Sequence, residues 1–140
     1  MENFISENEY KKIFKKLPIF CIDFLIRYEE KYLLLKRVNQ PMKEIYWVIG
    51  GRLRFRESLL DFAKRIQKQE LGKYFLNYKL IGFSNYMFDN LKDSRATHTP
   101  TILFEIVVDE MFAPNLDQNH SDYIWSNSLP DFLKESTLFI

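Results

Sequence analysis

One stretch of this chain, residues 58–71, carries the pattern of an amphipathic helix, and strand-like runs surround it on both sides. Its apolar residues recur at helical spacing: Leu59, Phe62, Ala63 and Ile66. Gly72 follows the last turn and is typical of a helix end. Runs rich in strand-forming residues cover 19–28, 31–37, 46–49, 78–88, 101–108 and 120–125. One well-formed helix inserted between strands predicts the α/β or α+β class with a mixed sheet.

Local signals predict three further features. Ser6 begins a basic amphipathic helix that Pro18 ends. The charged pair Glu29 and Glu30 separates the first two strand runs, which indicates a hairpin. A small helix is expected from about Pro130.

Composition limits the class of protein. The chain has 140 residues, 46% hydrophobic and 28% charged, which is typical of a single globular domain spanning residues 1–140. With 20 Lys and Arg against 19 Asp and Glu, the net charge of +1 predicts neither a nucleic-acid partner nor a membrane surface. The single Cys21 and an N-terminus without an apolar leader predict a cytoplasmic location. The 16% of aromatic residues suits either a sheet-rich core or a site that stacks planar ligands.

Glu70 is the anomaly of the helix. It follows Ile66 by four residues and therefore falls on the buried stripe, although burying an ionised carboxylate costs several kcal/mol unless a cation meets it. Either the last turn reaches solvent, or Glu70 is a metal ligand.

Several other residues could form a site for an anionic ligand. Gly50 and Gly51 allow close backbone approach, and Arg37 ends a strand where its guanidinium could contact phosphate. Asp23 interrupts an apolar strand, so its carboxylate either lines a pocket or pairs with a cation. His98 and His120 are either surface residues or candidates for a general base at neutral pH.

The run GGRLRFRESLLDFAKRIQKQELG, residues 50–72, resembles the Nudix box. The positions that match are Gly51, Glu57, Arg65, Glu70 and Gly72. The acidic cluster of the box is depleted, because Ile66 and Gln69 stand where ordinary members have glutamates. This depletion is similar to that of the GDP-mannose mannosyl hydrolases, a Nudix branch that the chain also resembles at IDF, LLLKR, YWVIGGR, the TH pair and HSDYIW.

The resemblance implies a Nudix α/β/α sandwich with a mixed sheet, usually a homodimer, that acts on nucleoside diphosphate sugars. In that reaction water attacks the anomeric carbon with inversion and releases a free sugar and a nucleoside diphosphate. The implied cofactor is one Mg²⁺ per subunit, with Mn²⁺ as an alternative, held by Gly50, Glu70 and Asn119. The implied catalytic residues are His120 as general base with Arg52 and Arg37 on the leaving diphosphate. The implied substrate-binding residues are Asp23, Lys36, Tyr86, His98 and Arg65.

This chain departs from the branch at four positions. Asn119 replaces a glutamine ligand, Tyr86 a histidine, Thr99 an aromatic residue and Ile49 a proline. The sugar and the nucleotide base of the substrate therefore stay open. Deoxythymidine and uridine diphosphate sugars remain among the candidate substrates.

Two other functions compete with this one. An ordinary pyrophosphohydrolase could recruit the carboxylates of Glu57, Asp61 and Asp89 to hold more metal. Alternatively, a Nudix-derived binding module could have lost catalysis.

Overall fold

The computed structural model describes residues 5–39, 42–88 and 97–140. Helix α1 (Glu7–Phe14) begins after Ser6 with a reciprocal capping box. The Ser6 hydroxyl accepts a hydrogen bond from the Glu9 backbone N–H, and the Glu9 carboxylate accepts one from the Ser6 backbone N–H. Helix α2 (Leu59–Leu71) begins after Ser58, whose hydroxyl accepts the Asp61 amide N–H, and it ends at Gly72 in the left-handed conformation. Both helices confirm the sequence prediction.

Eight strands and one further helix complete the described fold. The strands are β1 (Cys21–Tyr28), β2 (Lys31–Arg37), β3 (Tyr46–Trp47), β4 (Ile49–Arg52), β5 (Tyr78–Phe88), β6 (Thr97–Val107), β7 (His120–Ser126) and β8 (Thr137–Phe139). Helix α3 (Asp131–Ser136) lies between β7 and β8.

The strands form one mixed sheet. Its main order is β3-β2-β1-β6-β5-β8, while β4 pairs with β1 and β7 pairs with β2. Strands β1 and β6 run parallel, and the other pairs run antiparallel. Tyr28 pairs with Lys31, so the hairpin predicted at Glu29 and Glu30 is confirmed.

Alternation along β1 divides the core into two layers. Ile22, Phe24 and Ile26 lie in the cluster that contains Phe62 of α2, whereas Leu25 lies in the cluster that contains Leu133 of α3. Helices therefore cover both faces of the sheet. Cys21 and Asp23 share the α3 face with Leu25, which directs the Asp23 carboxylate away from α2.

The structure corrects four details of the sequence prediction. The strand predicted at 46–49 is broken at Val48, and β4 runs through both glycines instead of ending on them. Strand β6 begins at Thr97, so His98 lies within a strand and not before it. Strand β8 was not expected. Leu59 is 38% exposed because it occupies the first turn, before α2 reaches the sheet.

A separate finding concerns membranes. Within the described ranges, no helix combines the length and the apolar character needed to cross a bilayer.

Candidate active site

Two cavities meet where the C-terminal end of α2 approaches β4. Arg37, Gly50, Gly51 and Glu70 line both of them. The first, which we name the aromatic cavity, is also lined by Asp23, Trp47, Tyr86 and Phe88. The second, which we name the polar cavity, is also lined by Glu7, Asn39, Gln69, Asn119 and His120. The shared residues form a junction between an apolar and a polar compartment.

Strand pairing brings the charged groups to this junction. Asp23 on β1 pairs with Gly50 on β4, and Arg37 at the end of β2 pairs with His120 at the start of β7. A bulge between Lys36 and Arg37 shifts this last pairing. Residues far apart in the sequence therefore converge because of register.

Crowding excludes a side chain at Gly50 and leaves little room for one at Gly51. A Cβ atom on Gly50 would collide with Asp23 Oδ1 and would lie 2.6 Å from the Ile22 carbonyl oxygen. A Cβ atom on Gly51 would lie 3.1 Å from Ile66 Cδ1 on α2. The absence of both side chains lets carboxylates from opposite faces of the sheet approach the same segment of β4.

Glu70 is buried and not solvent-exposed. Its residue exposure is 6%, so the alternative in which the last turn of α2 reaches solvent is wrong. Burial raises the pKa of its carboxyl well above the ordinary range, and the charges of Asp117 and Asp23 raise it further. A hydrogen bond from the Gly50 backbone and the charge of Arg37 offset this pKa rise in part.

Asp23 satisfies both alternatives that the sequence left open. It lines the aromatic cavity, and it interacts electrostatically with Arg37. Burial raises the pKa of its carboxyl to about 7, although Arg37 and a hydrogen bond from the Trp47 indole act in the opposite direction.

His120 is held between two carboxylates. Its Nδ1 atom lies 2.7 Å from Asp117 Oδ1, and its Nε2 atom lies 3.6 Å from Glu70 Oε2. The first distance is that of a strong hydrogen bond, whereas the second is too long for one. A carboxylate on Nδ1 fixes the ring so that Nε2 faces the junction, as a general base requires.

Asp117 is the functional candidate that the sequence analysis missed. It precedes His120 by three residues in a polar stretch, and this spacing was the only signal. Its Oδ1 atom also accepts a hydrogen bond from the Asn119 backbone N–H at 3.1 Å, so the loop is shaped around this carboxylate.

The two arginines predicted to be catalytic differ in position. Arg37 lines both cavities. The Arg52 guanidinium instead lies 5.2 Å from the centre of the Tyr10 ring of α1, outside the described lining of either cavity.

Three of the predicted substrate-binding residues have protein partners outside the cavities. Arg65 donates to both carboxylate oxygens of Glu57 at 2.7 and 2.9 Å and to the Arg52 carbonyl oxygen at 3.1 Å. It therefore fixes the segment between β4 and α2. Lys36 pairs with Glu44 at 3.3 Å, and His98 Nε2 lies 2.7 Å from Asn85 Oδ1 at an exposed site.

The predicted metal ligand Asn119 and the predicted substrate-binding residue Tyr86 do line the cavities, as Asp23 does. Asn119 lines the polar cavity, where its Oδ1 atom accepts a hydrogen bond from Asn39 at 2.9 Å. Tyr86 lines the aromatic cavity and hydrogen-bonds Ser84 and Thr137 through its hydroxyl.

The carboxylates available for additional metal ions are poorly placed. Glu57 is paired with Arg65, and Asp61 lies at the exposed first turn of α2, nine residues or about 13 Å before Glu70. Asp89 lies outside the described residues. No group of three or more His, Cys, Asp or Glu side chains arranged to hold a metal occurs within the described ranges.

The junction fits one weakly held hard cation better than a dedicated metal cage. Glu70 lies near the like charges of Asp117 and Asp23, and a divalent ion would relieve this repulsion. The candidate donors are one carboxylate, one backbone carbonyl and one side-chain amide, all oxygen atoms of the kind that Mg²⁺ and Mn²⁺ prefer. Substrate phosphates and water would complete the coordination of such an ion.

Comparison with known proteins supports the architecture. No family model matches the chain. It is 27% identical over 108 residues to the low-salt glycan biosynthesis protein Agl8 of Haloferax volcanii, a match that covers 76% of this chain and 69% of the relative.

Solved structures match across most of the chain. The MutT protein of Methanosarcina mazei has a TM-score of 0.67 at 22% identity, covering 86% of this chain and 91% of that one. The NUDIX domain of Shewanella oneidensis NrtR, solved with ADP-ribose, has a TM-score of 0.64 at 17% identity, covering 86% and 82%. The mixed sheet, the helices on its two faces and these likenesses together establish that this chain has the Nudix fold.

Proposed function

We propose that this chain is a divalent-cation-dependent hydrolase of nucleoside diphosphate sugars that breaks the glycosidic C–O bond. The observation that carries the proposal is the row Asp117, His120 and Glu70, which ends at the junction of the two cavities beside Arg37. A candidate general base, a candidate metal ligand and a candidate phosphate-binding residue thus line one junction.

The metal would be held by Glu70 together with the Gly50 carbonyl and Asn119. When bound, a Mg²⁺ or Mn²⁺ ion supplies positive charge that makes the diphosphate a better leaving group. Arg37 would bind the same diphosphate at the junction, whereas the Arg52 guanidinium lies against Tyr10, outside the lining of either cavity.

His120 would remove the proton from the attacking water. Asp117 would keep the imidazole in the tautomer that carries its proton on Nδ1, which leaves Nε2 able to accept. The water oxygen would form the new bond to the anomeric carbon, and the departing oxygen would remain with the nucleoside diphosphate.

The comparisons are consistent with nucleotide-sugar chemistry. The name of the Haloferax relative refers to glycan biosynthesis, and the NrtR domain was solved with ADP-ribose, in which a diphosphate joins a nucleoside to a sugar. The depleted acidic box at Ile66 and Gln69 favours a single ion over the several ions expected for attack on phosphorus.

One observation favours a second candidate, a pyrophosphohydrolase of the same substrates. His120 Nε2 lies only 3.6 Å from Glu70 Oε2, so a water activated by His120 would lie close to a metal ion bound at Glu70. Attack on phosphorus would then give a nucleoside monophosphate and a sugar phosphate.

A panel of GDP, UDP and dTDP sugars with Mg²⁺ in ¹⁸O-water tests both candidates. We expect ³¹P NMR to show a nucleoside diphosphate and mass spectrometry to find the label in the free sugar. Label in a phosphate product would establish the pyrophosphohydrolase instead. Absence of any Glu70-dependent hydrolysis in the panel would contradict both candidates.

A further inference from the structure

We propose that Tyr10 is a positioning residue, whose ring holds the Arg52 guanidinium beside the site until a diphosphate at the junction draws it away. This inference rests on the proposed function in one respect, because it requires that a diphosphate group binds at the junction. It adds a role for helix α1, which the proposed reaction does not use.

The backbone of Arg52 is fixed close to the site. Arg52 is the last residue of β4 and pairs with Cys21 of β1, and paired residues of neighbouring strands place their side chains on the same face of a sheet. Cys21 lines the aromatic cavity. Burial raises the pKa of its thiol to about 12, and the charge of Arg52 opposes this rise. Arg65 donates a hydrogen bond to the Arg52 carbonyl oxygen at 3.1 Å, so only the long side chain of Arg52 has to move.

The ring that holds the Arg52 guanidinium belongs to α1. The centre of the Tyr10 ring lies 5.2 Å from the guanidinium carbon, within the range of a cation–π contact. Phe14, one turn later, packs against Tyr10 with ring centres 4.6 Å apart and restricts the position of that ring. Glu7, one turn earlier, lines the polar cavity. Tyr10 therefore lies within one helical turn of the site.

The contact between Tyr10 and Arg52 is one that a ligand can replace. No residue of α1 is buried, and the Tyr10 side chain is itself partly exposed. A cation–π contact at such a site is weaker than the charge-assisted hydrogen bonds that a guanidinium makes with phosphate oxygens. A diphosphate within reach of Arg52 therefore competes successfully with the ring.

The contact also lowers the affinity for that ligand. Because the guanidinium must leave Tyr10 before it binds phosphate, the apparent affinity is reduced to the fraction of molecules in which the guanidinium is free. A cation–π contact of ordinary strength at a partly exposed site corresponds to a factor of about two to five. Removing the ring should therefore strengthen binding, although it removes a contact from the protein.

Substitutions at Tyr10 test this inference through binding alone. Calorimetry would measure the Kd of inorganic pyrophosphate in the presence of excess Mg²⁺. Tyr10→Leu removes the ring, so pyrophosphate should bind about two- to fivefold more tightly than to wild type. Tyr10→Phe keeps the ring face and should match wild type.

Tyr74→Leu is the matched control. Tyr74 is exposed, and its ring centre lies 5.7 Å from Lys64 Nζ in a second cation–π contact. Neither residue belongs to the described lining of the two cavities, so the Kd of pyrophosphate should stay at the wild-type value. A gain in affinity equal to that of Tyr10→Leu would show that the effect is not specific to Arg52.

A double substitution shows whether the gain comes through the guanidinium. Arg52→Gln should weaken pyrophosphate binding, and Tyr10→Leu should give no gain in that background. The inference would be overturned by a gain that persists without the guanidinium, or by equal Kd values for Tyr10→Leu and wild type.

Nuclear magnetic resonance on the unmodified protein gives an independent test. The Arg52 Nε–Hε signal, identified by its loss in Arg52→Gln, should have an upfield proton shift because the Tyr10 ring shields it. Pyrophosphate with Mg²⁺ should move this signal downfield, as phosphate replaces the ring. A signal that keeps its position when pyrophosphate binds would contradict the inference.

The outcomes separate the two proposals. Release of Arg52 by pyrophosphate, without hydrolysis of any nucleoside diphosphate sugar, would support the inference and contradict the proposed reaction. Hydrolysis while Arg52 remains at Tyr10 would support the reaction and overturn the inference. Failure of pyrophosphate to bind would contradict both.

Discussion

Two glutamates near the ends of α2 have opposite environments. Glu57, just before the helix, receives two hydrogen bonds from Arg65. Burial alone would raise the pKa of Glu57, but these bonds and the Arg54 backbone N–H lower it overall. Glu70, in the last turn, lies near Asp117 and Asp23, and burial together with these charges raises its pKa.

The difference separates a structural carboxylate from a candidate functional one. Glu57 is neutralised by an arginine of the same chain, so it stabilises the fold and is unsuited to bind an exchangeable ion. Glu70 lies among like charges that Arg37 offsets only in part, so a divalent ion would stabilise its ionised form. If the proposed function holds, the segment that resembles the Nudix box contains one residue pair that stabilises the fold and one residue that binds the metal.

The largest effect is expected at Glu70. Glu70→Gln keeps the shape but removes the charge that would hold the metal, so kcat/KM should fall by at least about a thousandfold, equivalent to several kcal/mol. The melting temperature should stay the same or rise, because repulsion from Asp117 and Asp23 is relieved. Steady-state kinetics and calorimetry measure both, and near-wild-type turnover would refute the role assigned to Glu70.

The next effect is expected at His120. His120→Gln should reduce kcat by about 10²–10⁴-fold, as loss of a general base does.

A smaller loss of kcat is expected at Asp117. Asp117→Asn keeps the base but loosens its orientation, so kcat should fall by about 10–100-fold with KM little changed. Asp122→Asn is the matched control. Asp122 lies on the same strand as His120, is exposed, and accepts a hydrogen bond from the Tyr46 hydroxyl. Equal losses in the two aspartate variants would show that Asp117 has no special function.

Glu57→Gln should affect stability instead of chemistry. We expect the free energy of unfolding to fall by about 1–3 kcal/mol, since Arg65 loses a charged partner. The rate should change only a few-fold. Urea denaturation checks the first value, with Glu105→Gln as control, because the more exposed Arg27–Glu105 pair should contribute about 1 kcal/mol or less. A large loss of activity with unchanged stability would reverse our distinction between the two glutamates.

The smallest expected effect is the pH dependence of the stability that the Glu57–Arg65 ion pair contributes. The pKa of Glu57 is lowered on folding, so its contribution is complete above the ordinary value of 4.5 and is lost as pH falls through the lowered folded value. The stability difference between wild type and Glu57→Gln should therefore shrink between neutral pH and about pH 3. A difference that widens toward acid would contradict the assigned ion pair.

Features set by local chemistry could be predicted from the sequence. The cap at Ser6, the hairpin at Glu29 and the helix end at Gly72 depend on neighbouring residues and occur as expected. The inward direction of Glu70 followed from helical periodicity, because Ile66 lies one turn earlier on the same face.

Features set by distant contacts could not be predicted. The pairing of Arg65 with Glu57 and the contact of Asp117 with His120 depend on how loops fold back, and the three-residue spacing of Asp117 and His120 was too weak a signal to predict the second. Strand β8 is a three-residue run whose pairing with β5 is determined by the sheet edge and not by its own pattern. The aromatic content left two alternatives open, and the structure contains both a ring-rich core around Phe24 and a ring-lined cavity around Tyr86.

Metal binding tests most directly whether Glu70 is the functional carboxylate. Mn²⁺ can be titrated into wild type, Glu70→Gln and Glu57→Gln with inorganic pyrophosphate present, while electron paramagnetic resonance measures free Mn²⁺. Pyrophosphate without protein corrects for the ion that it binds alone. We predict about one protein-bound Mn²⁺ per chain in wild type and in Glu57→Gln, and none in Glu70→Gln at the same concentrations. Equal binding by all three proteins would show that the ion is held elsewhere and would contradict the account.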